Sequence, residues 1–252
     1  VIVPLTLLAA LGAWELIGRS RVFLPDLFPP ASAIVGALAE QLGTPVLLPH
    51  LAASLAAVGG GLALGFAAGV PVGVAVGARR ALAGVFEPLI LYLAVVPKII
   101  VLPVFILLFG IGVQSKLAVA ATAAFFPIAL LTIAGMREVK PIYRAVAQVV
   151  GARPLQVATR VYLPAVTGYV VGGLRVGLGA AVTGALLAET KVAKAGLGFL
   201  LVRYYGEYRI ADMYAVFVVI FVLAAAANLA MTAVHRRLAP HVRVAGADPL
   251  YF

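Results

Sequence analysis

The side chains able to do chemistry are few, and their spacing excludes more than it offers. The chain has no cysteine, hence no disulfide, no thiolate nucleophile and no thiolate metal site. Its three histidines, His50, His235 and His241, are too scattered for a metal cluster, and no metal is expected. No Ser–His or Asp–Asp pair stands out within an apolar run, so no catalytic set is expected and the chain reads as a non-enzyme. No G-x-x-x-x-G-K-[ST] stretch occurs, so nothing in this chain cradles nucleotide phosphates. What remains are ionisable groups set in or beside apolar runs. Lys98 lies between Pro97 and Pro103, and Glu189 closes a long apolar stretch. Such groups are costly at depth and face a cavity or a partner. Lys98 and Glu189 are the candidate residues of a solute pathway. Lys98 either attracts an anion there or, past a proline break, snorkels to an interface. Glu189 lies at a gate or mouth, or is an interfacial carboxylate paired with Lys191 or Lys194. Arg175 is expected to pair with a carboxylate or to snorkel, while Glu15 and Glu87 read as span ends with no site role.

The elements that must position these groups are membrane helices. Of 252 residues, 64% are hydrophobic and 11% charged, against roughly 45–50% and about 25% in soluble domains. Only lipid can solvate so much apolar surface. The net charge of +10 raises nucleic acid as a partner. The basic residues, however, flank apolar runs as cytoplasmic loops do, so membrane lipid and not nucleic acid is expected. With roughly 20 apolar residues per crossing, the sequence holds six candidate spans: Val1–Ile17, His50–Gly77, Val85–Phe109, Lys116–Met136, Pro164–Ala188 and Met213–Val234. A signal peptide over Val1–Ile17 would need a basic n-region and a small-residue cleavage site, and neither is evident. Pro25, Pro29, Pro30, Pro45 and Pro49 break the segment after the first span. Within it Ala31–Leu42 suits a short amphipathic helix. Thr190–Asp212, with three tyrosines among charges, suits the membrane interface. If the N-terminus is cytoplasmic, ten basic residues fall inside (among them Arg79, Arg80, Arg137, Lys140 and Arg243) and seven outside, including Arg21. That bias places both termini in the cytoplasm.

The second span carries Gly61, Gly65, Gly69, Gly73 and Gly77, one every fourth residue and so along one helical stripe. Small residues let helices approach closely in lipid. The stripe predicts a packing seam, either static or sliding.

Between the fourth and fifth spans, residues 137–164 read REVKPIYRAVAQVVGARPLQVATRVYLP, too polar to cross and basic. Ile142, Val146, Val149 and Val150 recur near helical spacing. Gly151 suits a helix end and Pro154 a helix start. Two short helices joined by a glycine turn fit this pattern, and so does an amphipathic helix resting on lipid headgroups.

Gly151, then nine residues, then Val161-Tyr162-Leu163-Pro164 resembles the "EAA" loop of binding-protein-dependent ABC importer permeases. The triplet reads Ala145-Val146-Ala147, so its glutamate is absent. Val96-Pro97-Lys98-Ile99 with Leu102 to Gly112 is similar to the sulfonate, taurine and nitrate branch. So are Leu27 to Ile34, Phe125-Phe126-Pro127-Ile128, and Ala188-Glu189 followed by Gly196 to Leu200. The resemblance runs in order along nearly the whole chain.

It implies an all-α, polytopic membrane protein of about six transmembrane helices with the type I ABC importer fold. One transmembrane domain would cover residues 1–252, with 137–164 as its cytoplasmic coupling loop. It implies a permease subunit, a homodimer in the bacterial inner membrane, docked on cytosolic ABC ATPase subunits. These subunits would hold ATP and Mg, and this chain would hold no cofactor. A periplasmic or lipid-anchored binding protein would deliver the solute, a small anion such as a sulfonate, taurine, nitrate or bicarbonate. Related permeases also carry pyrimidine vitamin precursors and aromatic acids. Val146, Ala147, Gly151, Ala152, Arg153, Pro154 and Leu155 would form the docking element. A secondary transporter is the alternative, but such proteins show internal repeats and midplane acids, and neither is evident here.

Overall fold

The computed structural model describes residues 2–20, 27–191 and 193–238. Arg21, Pro25, His241 and Arg243 lie outside the described residues. Among the described residues there is no strand. Eleven α-helices follow one another: α1 (Ile2–Ser20), α2 (Ala31–Gly43), α3 (Leu47–Ala78), α4 (Arg80–Val95), α5 (Leu102–Phe109), α6 (Val113–Arg137), α7 (Pro141–Val149), α8 (Pro154–Val157), α9 (Leu163–Lys191), α10 (Leu197–Gly206) and α11 (Ile210–Leu238).

Among the described residues, four stretches are long and apolar enough to cross a bilayer: Leu47–Ala78, Val113–Arg137, Pro154–Lys191 and Ile210–Val234. The bent pair Arg80–Val95 and Lys98–Phe109 makes a fifth if it is one span. The expected first crossing falls on α1, 19 residues long, which is not among these candidate spans.

The expected third span, Val85–Phe109, is not one helix. The chain turns by 89° between Val95 and Lys98. Pro97 has no N–H to continue α4, and Val96, at φ −62° and ψ 126°, takes the extended conformation that a following proline imposes. One 3-10 turn, Lys98–Val101, then leads into α5.

The second of the two short helices expected in the loop is likewise revised. α8 runs without interruption through a π turn, Ala158–Tyr162, into α9, so Pro154–Lys191 is one helix of 38 residues. Pro164 explains the π turn. It cannot donate to the carbonyl of Arg160, and the wider turn just before it lets the Leu163 N–H reach back to the Ala158 carbonyl.

The chain divides into two compact units. In the first (described residues 2–54 and 189–223), the indole of Trp14 stacks on Phe28, with ring centres 4.7 Å apart. Its N–H donates to the Pro29 carbonyl at 3.1 Å. Glu15 caps α2 by accepting both the Ser32 N–H and its hydroxyl at 2.9 Å. Gln41, buried, donates to the Asp212 carboxylate at 2.9 Å. The second unit (described residues 55–188 and 224–238) is organised around α6. Ala120, Ala124, Ile128 and Met136 on α6 pack with Ala57, Val70, Val166 and Ala181 in one apolar core.

Candidate functional site

The glycine stripe of α3 lies along α6 at a matching period of four. A Cβ added at Gly61, Gly65, Gly69, Gly73 or Gly77 would meet Ala120, Ala124, Ile128, Thr132 or Met136 in turn. At Gly65 that Cβ would sit 2.7 Å from the Ala124 Cβ and 2.9 Å from the Ala121 carbonyl oxygen. A methyl group does not fit there, so the two backbones are as close as glycine permits.

The broken span positions Lys98. Its ammonium donates to the carbonyls of Leu93, at 2.8 Å, Ala94, at 2.9 Å, and Val96. These are last-turn carbonyls of α4 that the helix itself cannot satisfy. The same ammonium lies 4.4 Å from the Phe126 ring centre, a cation–π distance. Lys98 and Phe126 line a hollow of about 510 Å³ with Pro127, Thr183, Gly184 and Leu187. All three ammonium protons have carbonyl partners, two on α4 and one on Val96 just after it, so the charge is spent largely on a helix end. Arg175, also in the second unit, was expected to pair with a carboxylate or to snorkel; it donates to the side-chain oxygen of an amide, Asn228, at 2.9 Å.

Glu189 belongs to the first unit and is 1% exposed. Its carboxylate accepts the Ser54 hydroxyl at 2.8 Å and the Gly198 N–H at 3.0 Å. The Ser54 oxygen in turn accepts the Leu197 N–H at 2.8 Å, and Nδ1 of His50 accepts the Gly196 N–H at 3.0 Å. Three consecutive N–H groups at the start of α10 are thus held by three side chains, one of them anionic, as the positive end of a helix favours. Gly196 sits at φ 124°, and a Cβ there would strike the Glu189 carboxyl. Lys191 and Lys194 are exposed. Outside the spans, burial pushes the Tyr204 phenol up, and the hydrogen bond to Asp212 pushes the Arg209 guanidinium up.

The loop after α6 is stiffened by its own backbone. α7 ends in a Schellman motif: Gly151 takes φ 66°, and the Ala152 N–H donates back to the Ala147 carbonyl at 2.9 Å. Gln156 accepts the Arg153 N–H at 2.9 Å where α8 begins on Pro154. Ala147 is buried, while Ile142, Val146, Val149, Val150 and Leu155 are more than half exposed, Val149 at 88%. Of the seven proposed docking residues, Ala147 faces inward, Ala152 is half-buried, and Val146, Gly151, Arg153, Pro154 and Leu155 are exposed. At the other end of α6, Ser115 and Lys116 are buried. At the loop end, Arg137 bonds to Glu87 of α4.

Sequence reasoning treated His50 only as a non-ligand and passed over Ser54, Asn228 and the Glu87–Arg137 pair. For His50 and Ser54 a signal existed: they are four residues apart on α3, hence on one face, and each offers an acceptor to a glycine-rich helix start.

These helices define a polytopic membrane protein with the type I ABC importer fold. That fold is similar to a chain of the inward-facing MetNI methionine ABC transporter, with a TM-score of 0.69 over 77% of this chain and 96% of the other at 23% identity. Residues 61–244 match the family described as binding-protein-dependent transport system inner membrane component. Over 241 residues the chain is 33% identical to the taurine transport system permease protein TauC of Escherichia coli (strain K12), covering 93% of this chain and 87% of the relative. It is 35% identical over 199 residues to the riboflavin transport system permease protein RibX of Chloroflexus aurantiacus, covering 79% and 74%. The chain belongs to the binding-protein-dependent transport system inner membrane component family. It is an ABC importer permease subunit, a transport component whose ATPase is a separate chain.

Proposed function

We propose that two copies of this chain enclose a pathway for a small anion of the sulfonate or taurine class, with both termini and residues 137–164 in the cytoplasm. ATP and Mg are held by two cytosolic ATPase subunits, and an external binding protein supplies the solute. Val146, Ala147, Gly151, Ala152, Arg153, Pro154 and Leu155 form the coupling element. The observation that carries this reading is the exposed apolar face of α7 on a backbone held by a Schellman turn. An apolar face at the water boundary needs a cover, and a stiff helix passes on a displacement that a floppy loop would absorb. Lys98 contributes to the pathway mainly by holding the broken helix in shape beside Phe126. Glu189 contributes by anchoring α10. The relative's taurine supports a solute that bears a sulfonate group. The other relative's riboflavin makes solute identity the part most in need of measurement.

The test is recovery of partners by the solubilised chain. Wild type brings down a P-loop ATPase, and replacing residues 145–155 with a Gly/Ser linker abolishes that recovery. Gly151→Pro inserts normally but loses ATP-dependent uptake. ATPase recovery that survives the linker overturns the coupling assignment. Uptake of taurine or an alkanesulfonate in the reconstituted assembly, compared with riboflavin, decides the solute class.

A further inference from the structure

The turn from α9 into α10, within the first unit, is held at three adjacent points by acceptors of different chemistry. Glu189 takes the Gly198 N–H, Ser54 the Leu197 N–H and His50 the Gly196 N–H, the last at 3.0 Å through Nδ1. Near neutral pH a carboxylate and a hydroxyl keep the lone pairs they offer. An imidazole does not: it takes up a proton between about pH 5 and 8, and once protonated both its ring nitrogens are donors. Nδ1 then presents an N–H to the Gly196 N–H. Gly196 is buried, so this donor loses its acceptor away from water. The imidazole has a reason to stay where it is. It stacks on Phe199, with ring centres 5.6 Å apart, and an aromatic face attracts a cation. Gly196 is the part free to yield, since at φ 124° it lacks the Cβ that would narrow its choice of backbone conformation. The other charged groups around the ring are Glu189 and Lys191 on α9 and Lys194 in the turn, both lysines being exposed. α3 carries no other ionisable residue, and α10 none before Arg203.

We propose that His50 makes the start of α10 a pH-sensitive latch: the neutral ring fixes the Gly196 N–H and the protonated ring releases it, while Ser54 and Glu189 keep the next two. The latch is complete above the titration of the imidazole and is lost as pH falls through it. It is independent of the transported solute and of the coupling element.

Hydrogen–deuterium exchange of the purified full chain in detergent, read by mass spectrometry at about pH 5.5 and about pH 7.5, measures protection of the Gly196 amide. Labelling times are scaled for the intrinsic pH dependence of exchange. Wild type is expected to lose protection at Gly196 about fivefold in acid, the effect of one hydrogen bond, with the amides of α6 unchanged. His50→Gln offers a side-chain oxygen that does not titrate in this range, and should hold Gly196 equally at both pH values. His50→Leu offers no acceptor and should leave Gly196 poorly protected at both. Circular dichroism identifies any variant that fails to fold, in which case the wild-type pair and the other variant decide. Equal protection of Gly196 in wild type at the two pH values overturns the proposal. So does a loss in acid that His50→Gln shares, or that α6 shows to the same degree.

Discussion

The α3–α6 seam gives the sharpest quantitative prediction. A Gly65→Ala substitution places a methyl 2.7 Å from the Ala124 Cβ, 2.9 Å from the Ala121 oxygen and 3.1 Å from the Phe125 nitrogen. Carbon atoms prefer about 3.5–4.0 Å, so the helices must part by roughly 1 Å. Two of the three atoms are backbone, which cannot swing aside as a side chain can. Overpacking of this kind costs about 1–3 kcal/mol, and the rigidity of the obstacle points to the upper part of that range. Opposing it, alanine gains up to about 1 kcal/mol over glycine in a helix. The net is a loss of about 1–2 kcal/mol, or a fall of roughly 2–8 °C in midpoint for a chain of this size. Gly59→Ala is the internal control: on the same helix its Cβ meets nothing within 4 Å, so only the propensity gain remains. Thermal unfolding of the purified full chain in one detergent, followed by circular dichroism, compares the two. If Gly65→Ala unfolds at or above the temperature of Gly59→Ala, the close approach of α3 and α6 is wrong.

Two further outcomes follow from the buried polar contacts. Glu189→Ala leaves the Ser54 hydroxyl and the Gly198 N–H without their acceptor and is expected to cost about 2–3 kcal/mol, while Glu189→Gln retains an acceptor oxygen and should recover part of that. Equal stability of Glu189→Ala and wild type in the same unfolding assay would exclude the anchor. Lys98→Met uncaps α4 and should lower folded yield and uptake of every solute, with Lys98→Arg intermediate. A rise in KM confined to anionic solutes, with yield unchanged, would instead make Lys98 an anion receptor.

The membrane class, most of the spans and the family pattern were legible because bulk apolarity and residue spacing act locally along the chain. The break at Pro97 was only half legible. Prolines at 97 and 103 announced an interruption, but neither the 89° turn nor the folding of the Lys98 side chain back on three carbonyls is specified by spacing alone. The π turn was hidden for a similar reason: Pro164 marked a helix start equally well, and the continuity of α8 with α9 depends on backbone repair at Ala158–Tyr162. Glu189 was visible as a charge at a span end. Its partners Ser54 and Gly198 are 135 and 9 residues away, and the more distant one had no signature of its own.

The continuity of α8 with α9 gives the molecule a lever whose fulcrum is the π turn. The arm beyond the π turn is 29 residues, about 44 Å at the helical rise. Each degree of tilt at the fulcrum therefore sweeps the far end through about 0.8 Å. A small tilt at that turn would thus be carried to the far end of α9 enlarged, along a single helix.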